Sequence, residues 1–117
     1  MSKFPARMFR WAAIYGVIVL APLYLTPLPR GGAEVFLGFG GLALVFQGVF
    51  WTIGGDPVKY RALMPYAVAE KLAFGLPTLL LLLGGYPVPA PVAGFAAIDV
   101  LLGLGFFVAW RRTVKAD

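Results

Sequence analysis

The chain contains no cysteine and no histidine among its 117 residues. Without thiol or imidazole there can be no disulfide framework, no Cys/His zinc site, no thiol redox centre and no Ser-His or Cys-His nucleophile. Charge is scarce as well. Only 13% of residues are Asp, Glu, Lys or Arg, against roughly 25% in an average soluble domain. A soluble fold of this length buries about two-thirds of its surface and covers the rest with polar groups. Ten basic and five acidic residues are too few for that. What fills the sequence instead is apolar, 61% of it, so most of the outer surface is expected to face lipid.

Four apolar stretches stand out, approximately 9–25, 34–53, 65–84 and 91–110. Each is close to the roughly 20 residues with which an α-helix crosses about 30 Å of hydrocarbon. The breaks between them are turn chemistry: Thr26-Pro27-Leu28-Pro29-Arg30-Gly31-Gly32, Gly54-Gly55-Asp56-Pro57, and Gly84-Gly85-Tyr86-Pro87-Val88-Pro89. Asp56 followed by Pro57 reads as the start of a short interfacial helix ahead of Pro65. Lys3, Arg7 and Arg10 before an apolar run also suit a secretory signal, but no small-x-small cleavage site follows, so the first stretch is expected to remain a helix.

Basic residues are retained on the cytoplasmic side of a membrane. Lys3, Arg7 and Arg10 precede the first span, Lys59 and Arg61 lie between the second and third, and Arg111, Arg112 and Lys115 follow the fourth, while Arg30 alone falls in either of the other two connections. Trp11, Trp51 and Trp110 mark the same side, where the amphipathic indole sits at the membrane boundary. The expected fold is therefore all-α: a compact integral-membrane, antiparallel four-helix bundle, one domain over 1–117, with both termini cytoplasmic. The positive charge is scattered along membrane edges, so it calls for no nucleic-acid partner.

Lipid offers no hydrophobic drive between helices, so small residues are the expected packing device. Gly38, Gly40, Gly41 and Gly48 mark the second span, and Gly94, Ala96, Ala97, Gly103 and Gly105 the fourth. Against this background the polar residues inside the spans are the informative ones: Tyr15, Gln47, Glu70, Lys71 and Asp99. Counted at 1.5 Å per residue, Tyr15, Gln47 and Glu70 fall about 8 to 9 Å deep and Asp99 about 16 Å deep. Gln47 shares a helical face with Gly40 and Ala43, and Asp99 with Ala96 and Gly103, so both are expected to turn inward. Pro22 and Pro77 free the carbonyls of Ile18 and Ala73, and the Ala73 carbonyl is a candidate partner for Asp99 if that residue only cements helices together. Lys71 lies about 100° round the helix from its neighbour Glu70, so the two are not expected to pair with each other, and Lys71 is expected to snorkel to lipid phosphate. Lys59 and Arg61 are expected at phosphate level, contacting headgroups or another anionic group.

Ala13-Ile14-Tyr15-Gly16, Phe46-Gln47 and above all the run DPVKYRALMPYAVAEKLAFG from Asp56 to Gly75 resemble an uncharacterised family of small bacterial four-span proteins. The resemblance implies the topology and the polar positions, with no activity attached. In outline alone, a small four-helix membrane bundle with buried acids is also similar to DoxX-like proteins and to the emopamil-binding sterol isomerase fold.

The residues favour a non-enzymatic protein of the bacterial inner membrane. Its polar cavity, opening toward the cytoplasm and formed by Tyr15, Gln47, Glu70 and Asp99, would hold a small or lipid-like ligand or dock a larger membrane complex. No metal site and no cofactor is expected. One alternative is an isomerase acting on an apolar substrate with Glu70 and Asp99 as proton donor and acceptor. Another is proton-coupled transport by a homodimer.

Overall fold

The computed structural model describes residues 3–115. Those residues are helical with no strand, and four of the helices are long and apolar enough to cross a membrane. They are α1 (Phe4–Leu20), α2 (Ala33–Gly55), α3 (Met64–Leu83) and α4 (Ala90–Arg112). Proline sets three of the starts, because its fixed backbone suits the first turn and its missing N–H is not needed there: Pro5 in α1, Pro65 in α3 and Pro91 in α4.

The boundaries differ from the expected ones where proline acts twice. The first helix begins at Phe4 rather than near 9, because Pro5 opens it. Its α-helical part ends at Leu20, and Ala21–Leu25 around Pro22 tightens into a 3-10 turn. Between α2 and α3, Asp56 does head a local turn, its Oδ1 accepting the Lys59 N–H at 3.2 Å. The segment that follows is a turn and a three-residue 3-10 helix, Arg61–Leu63, in place of a short interfacial α-helix.

Helix α1 packs along α2, and α3 along α4. The two pairs meet mainly through α1 and α4, while α2 and α3 make only slight contact. The molecule measures 50 × 30 × 18 Å, so it is flattened and open along the α2–α3 side, less compact than the expected bundle. Close helix approach depends on absent side chains at several points, Gly16 and Gly75 among them. A Cβ on Gly16 of α1 would overlap the Gln47 carboxamide of α2, and one on Gly75 of α3 would lie 2.8 Å from the Ala96 carbonyl oxygen of α4. By contrast Gly38, Gly48 and Gly94, part of the expected packing stripes, face open space.

The core lies at one end of the bundle, beside the 56–63 connection. Phe9, Phe50 and Phe106 from three helices are fully buried there with Ile53 and Met64. Phe9 and Phe106 stack at 4.2 Å, and Phe50 tilts against Phe106 at 4.9 Å. Arg10 of α1 reinforces the same end: its Nε donates to the Trp51 carbonyl at 2.9 Å and its guanidinium lies 3.8 Å from the Trp51 ring centre. Large apolar residues such as Val17, Ile18, Leu42, Val45, Leu80 and Leu101 point outward. That arrangement suits a surrounding of lipid, where dispersion and fit hold helices together.

Substitution of Gly75 tests the α3–α4 contact. Gly75→Leu is expected to lower stability in detergent by about 1–3 kcal/mol through overpacking, whereas Ala97→Leu on an exposed position of α4 should change it by less than about 0.5 kcal/mol. Thermal unfolding followed by circular dichroism checks this, and equal effects would contradict the close approach.

Candidate functional site

The five polar residues within the apolar helices gather on one cavity. Tyr15 from α1, Gln47 from α2, Glu70 and Lys71 from α3, and Asp99 from α4 all line a space of about 240 Å³. Its other walls are apolar, among them Leu20, Leu23, Phe36, Phe39, Val92 and Phe95. The lining runs from these polar residues through Leu20, Leu23, Phe36 and Val92 toward the 26–32 and 84–89 connections, away from the aromatic core and from the 56–63 side where residue depths lead one to expect the opening.

Lys71 departs most from its expected position. Its side chain is 3% exposed and turns into the bundle instead of reaching for phosphate. The ammonium lies 3.7 Å from Asp99 Oδ1 and 3.8 Å from Glu70 Oε2, so it stands between the two carboxyls. It also sits 5.1 Å from the centre of the Phe50 ring, a cation–π distance. The direction follows from the helix: Lys71 occupies the stripe Ala67–Lys71–Gly75, all three buried, and a residue four positions from small neighbours on either side faces their packed partner. That spacing was legible in the sequence. The length of the lysine stem argued the other way, since a long stem can turn up or down the helix from the same Cα.

Asp99 thus has an ammonium beside it, and the contact proposed with the Ala73 carbonyl is replaced by this pairing. Gln47 is 2% exposed, and its Nε2 donates to the Ala43 carbonyl at 2.7 Å. That bond fixes the carboxamide: its two ends are a donor and an acceptor, and only the donor can face a carbonyl. Oε1 must therefore face away from Ala43. Three buried polar atoms have no hydrogen-bond partner among the described residues: Tyr15 Oη, Gln47 Oε1 and Glu70 Oε2. All three belong to residues on the cavity wall. An unsatisfied buried polar group costs on the order of 1–3 kcal/mol, so three around one space is an unusual concentration.

The two loop cations lie apart from the cavity. Lys59 is exposed, with its ammonium 5.4 Å from the Tyr60 ring centre. Arg61 is partly buried, donates from Nε to the Thr113 carbonyl at 2.8 Å and lies over Trp110, so it ties the loop to the end of α4. No group of Asp, Glu, His or Cys able to hold a metal ion occurs among the described residues. The apolar cavity walls and the Arg10–Trp51 contact had no local signal in the sequence, because each depends on which helices become neighbours.

Compared with protein-family models, curated proteins and solved structures, the chain finds no match in any of the three. The chemistry must be read from the site. Its lining is polar at one end and apolar along the rest.

Removal of one charge tests the pairing. Lys71→Met leaves two partly buried acids without their cation and should cost about 3–5 kcal/mol, the usual penalty for breaking a buried pair. The triple variant Lys71→Met, Glu70→Gln, Asp99→Asn removes the stranded charges and should recover most of the loss. Unfolding in detergent measures both, and a neutral Lys71→Met would show that the ammonium does not balance the acids.

Proposed function

We propose that this chain is a small bacterial inner-membrane protein that holds a small or lipid-like ligand in the cavity among its four spans. The observation that carries this is the group of buried polar atoms without a hydrogen-bond partner among the described residues, Tyr15 Oη, Gln47 Oε1 and Glu70 Oε2, around one largely apolar space. Ionisable groups within membrane spans are expensive and are found chiefly where they serve a ligand, an ion or a proton path. A polar floor with apolar walls matches the make-up of small-molecule sites generally.

In the membrane the helices run antiparallel, up-down-up-down, with both termini in the cytoplasm. Lys3, Arg7, Arg10, Lys59, Arg61, Arg111, Arg112 and Lys115 support that orientation through the positive-inside rule. The resemblance of Asp56 to Gly75 to small bacterial four-span proteins supports the bacterial setting. The aromatic core then faces the cytoplasmic half, and the cavity lies on the outer side of it.

Two experiments test these statements. Alkaline phosphatase fused after Gly32 or Ala90 should be active and fused after Asp117 inactive; the opposite pattern overturns the orientation. Gentle extraction followed by mass spectrometry should find a lipid or other amphiphile in near-stoichiometric amount, depleted in Gln47→Leu. A stoichiometric polypeptide in its place would instead make the chain a subunit of a larger complex, and recovery of neither would return weight to transport.

A further inference from the structure

The cavity does not end at its polar floor. A second space of about 340 Å³ lies between α2 and α3, lined by Leu42 and Phe46 on one side and Ala73, Pro77 and Leu81 on the other. Phe39, Ala43, Glu70 and Phe74 border both spaces. This is the side on which the bundle is open, where α2 and α3 make only slight contact. Two of these four shared residues, Phe39 and Phe74, form a ring pair tilted at 5.7 Å. Side chains can part without moving a helix, so rotation of these rings would join the polar floor to the groove.

The floor also has a chemical preference. Gln47 Oε1 can only accept a hydrogen bond, and one of the two Nε2 hydrogens is already given to Ala43. Glu70 Oε2 has no donor within hydrogen-bond distance, and the Tyr15 hydroxyl can serve as donor or acceptor. Two of the three covered atoms left without a hydrogen bond are acceptors only, which favours a ligand that donates once the side chains part to admit it. Charge points the same way. The titratable and charged groups facing the cavity are Tyr15, Glu70, Lys71 and Asp99, and a single ionised acid already cancels the ammonium. With either acid ionised, no net positive charge is left for an anion, and a carboxylate or phosphate head would also bring acceptors against acceptors.

Resting on the cavity reading above, we propose that the ligand is a long-chain amphiphile whose head is a neutral or cationic hydrogen-bond donor, a hydroxyl or primary amine, and whose alkyl tail leaves sideways between α2 and α3 past Phe39 and Phe74. An amine head donates to both Gln47 Oε1 and Glu70 Oε2, and a hydroxyl head to one of them. The tail lies along Leu42, Phe46 and Leu81, where it replaces a lipid chain at little cost.

The test uses the full chain in phosphatidylcholine nanodiscs and three photoreactive probes of equal chain length: hexadecanol, hexadecylamine and palmitate, each with a mid-chain diazirine. The alcohol and amine should label saturably, with cross-links on the partly buried Phe46 or Phe74, and palmitate should need at least about tenfold more probe for the same labelling. In the double variant Glu70→Gln, Asp99→Asn the ammonium is uncompensated, and the order should reverse in favour of palmitate. Equal labelling of the unaltered chain by all three probes at those positions overturns the head chemistry and leaves the cavity intact. Labels at Leu20 or Val92 with none between α2 and α3 overturn the sideways exit. Non-saturable labels confined to outward residues such as Val17 or Leu101 overturn the cavity reading itself.

Discussion

One ammonium placed within the bundle constrains the rest of this molecule. A lysine turned away from water and from lipid phosphate must find negative partners nearby, since burying an unpaired charge costs far more than any single packing contact returns. Glu70 on its own helix and Asp99 on α4 supply them at 3.8 and 3.7 Å. That requirement fixes the rotation of α3 against α4, and the Gly75 approach to Ala96 lets the two backbones come close enough to meet it. Phe50 of α2, beneath the ammonium, extends the constraint to a third helix. The polar group is thus also where the helices agree on their faces.

Stability alone does not account for such a group. Replacing buried ion pairs by apolar residues of similar size is often neutral or stabilising, and the insertion cost of an Asp or Lys at mid-span is about 2.5–3.5 kcal/mol each. A leucine at position 71 facing apolar neighbours would serve the fold at lower cost. The Phe9–Phe50–Phe106 stack shows that this sequence can build an apolar interior where one is wanted. Next to that packed end, the polar end has a space and three atoms without partners. The contrast lies within one bundle and a few turns of helix, so it is a property of the site and not of a loosely packed fold.

The helices and their turns were legible because proline, glycine and hydropathy act locally: Pro65 and Pro91 start α3 and α4 wherever those helices end up. Burial of Gln47 was legible through its spacing from Ala43 and Gly40, which lie on the same buried face. Lys71 shows the limit. Its position on the Ala67–Gly75 stripe pointed inward, its snorkelling length pointed outward, and only the placement of Asp99 opposite decides between them. That placement depends on α3 pairing with α4, a long-range fact that no window of sequence contains. The same holds for the cavity. The sequence placed the polar residues in matched layers, but which side of the layer stays empty depends on three phenylalanines meeting from three helices.

The uneven joints between helices link this packing to access. Between α1 and α2 and between α3 and α4, Gly16 and Gly75 bring main chain against neighbouring groups with no side chain between. Such contacts are made of many short dispersion pairs that are lost together if the helices part. Between α2 and α3 the slight contact includes a pair of aromatic rings with open space around it. A ring pair is worth about 0.5–1.5 kcal/mol beyond area burial and is lost by rotation about side-chain bonds alone. The weakest joint is therefore also the one that moves without disturbing the charged cluster, since Lys71, Glu70 and Asp99 are carried on the tightly packed α3–α4 pair. A bundle arranged in this way can open along the α2–α3 joint while the charged group on α3 and α4 stays fixed.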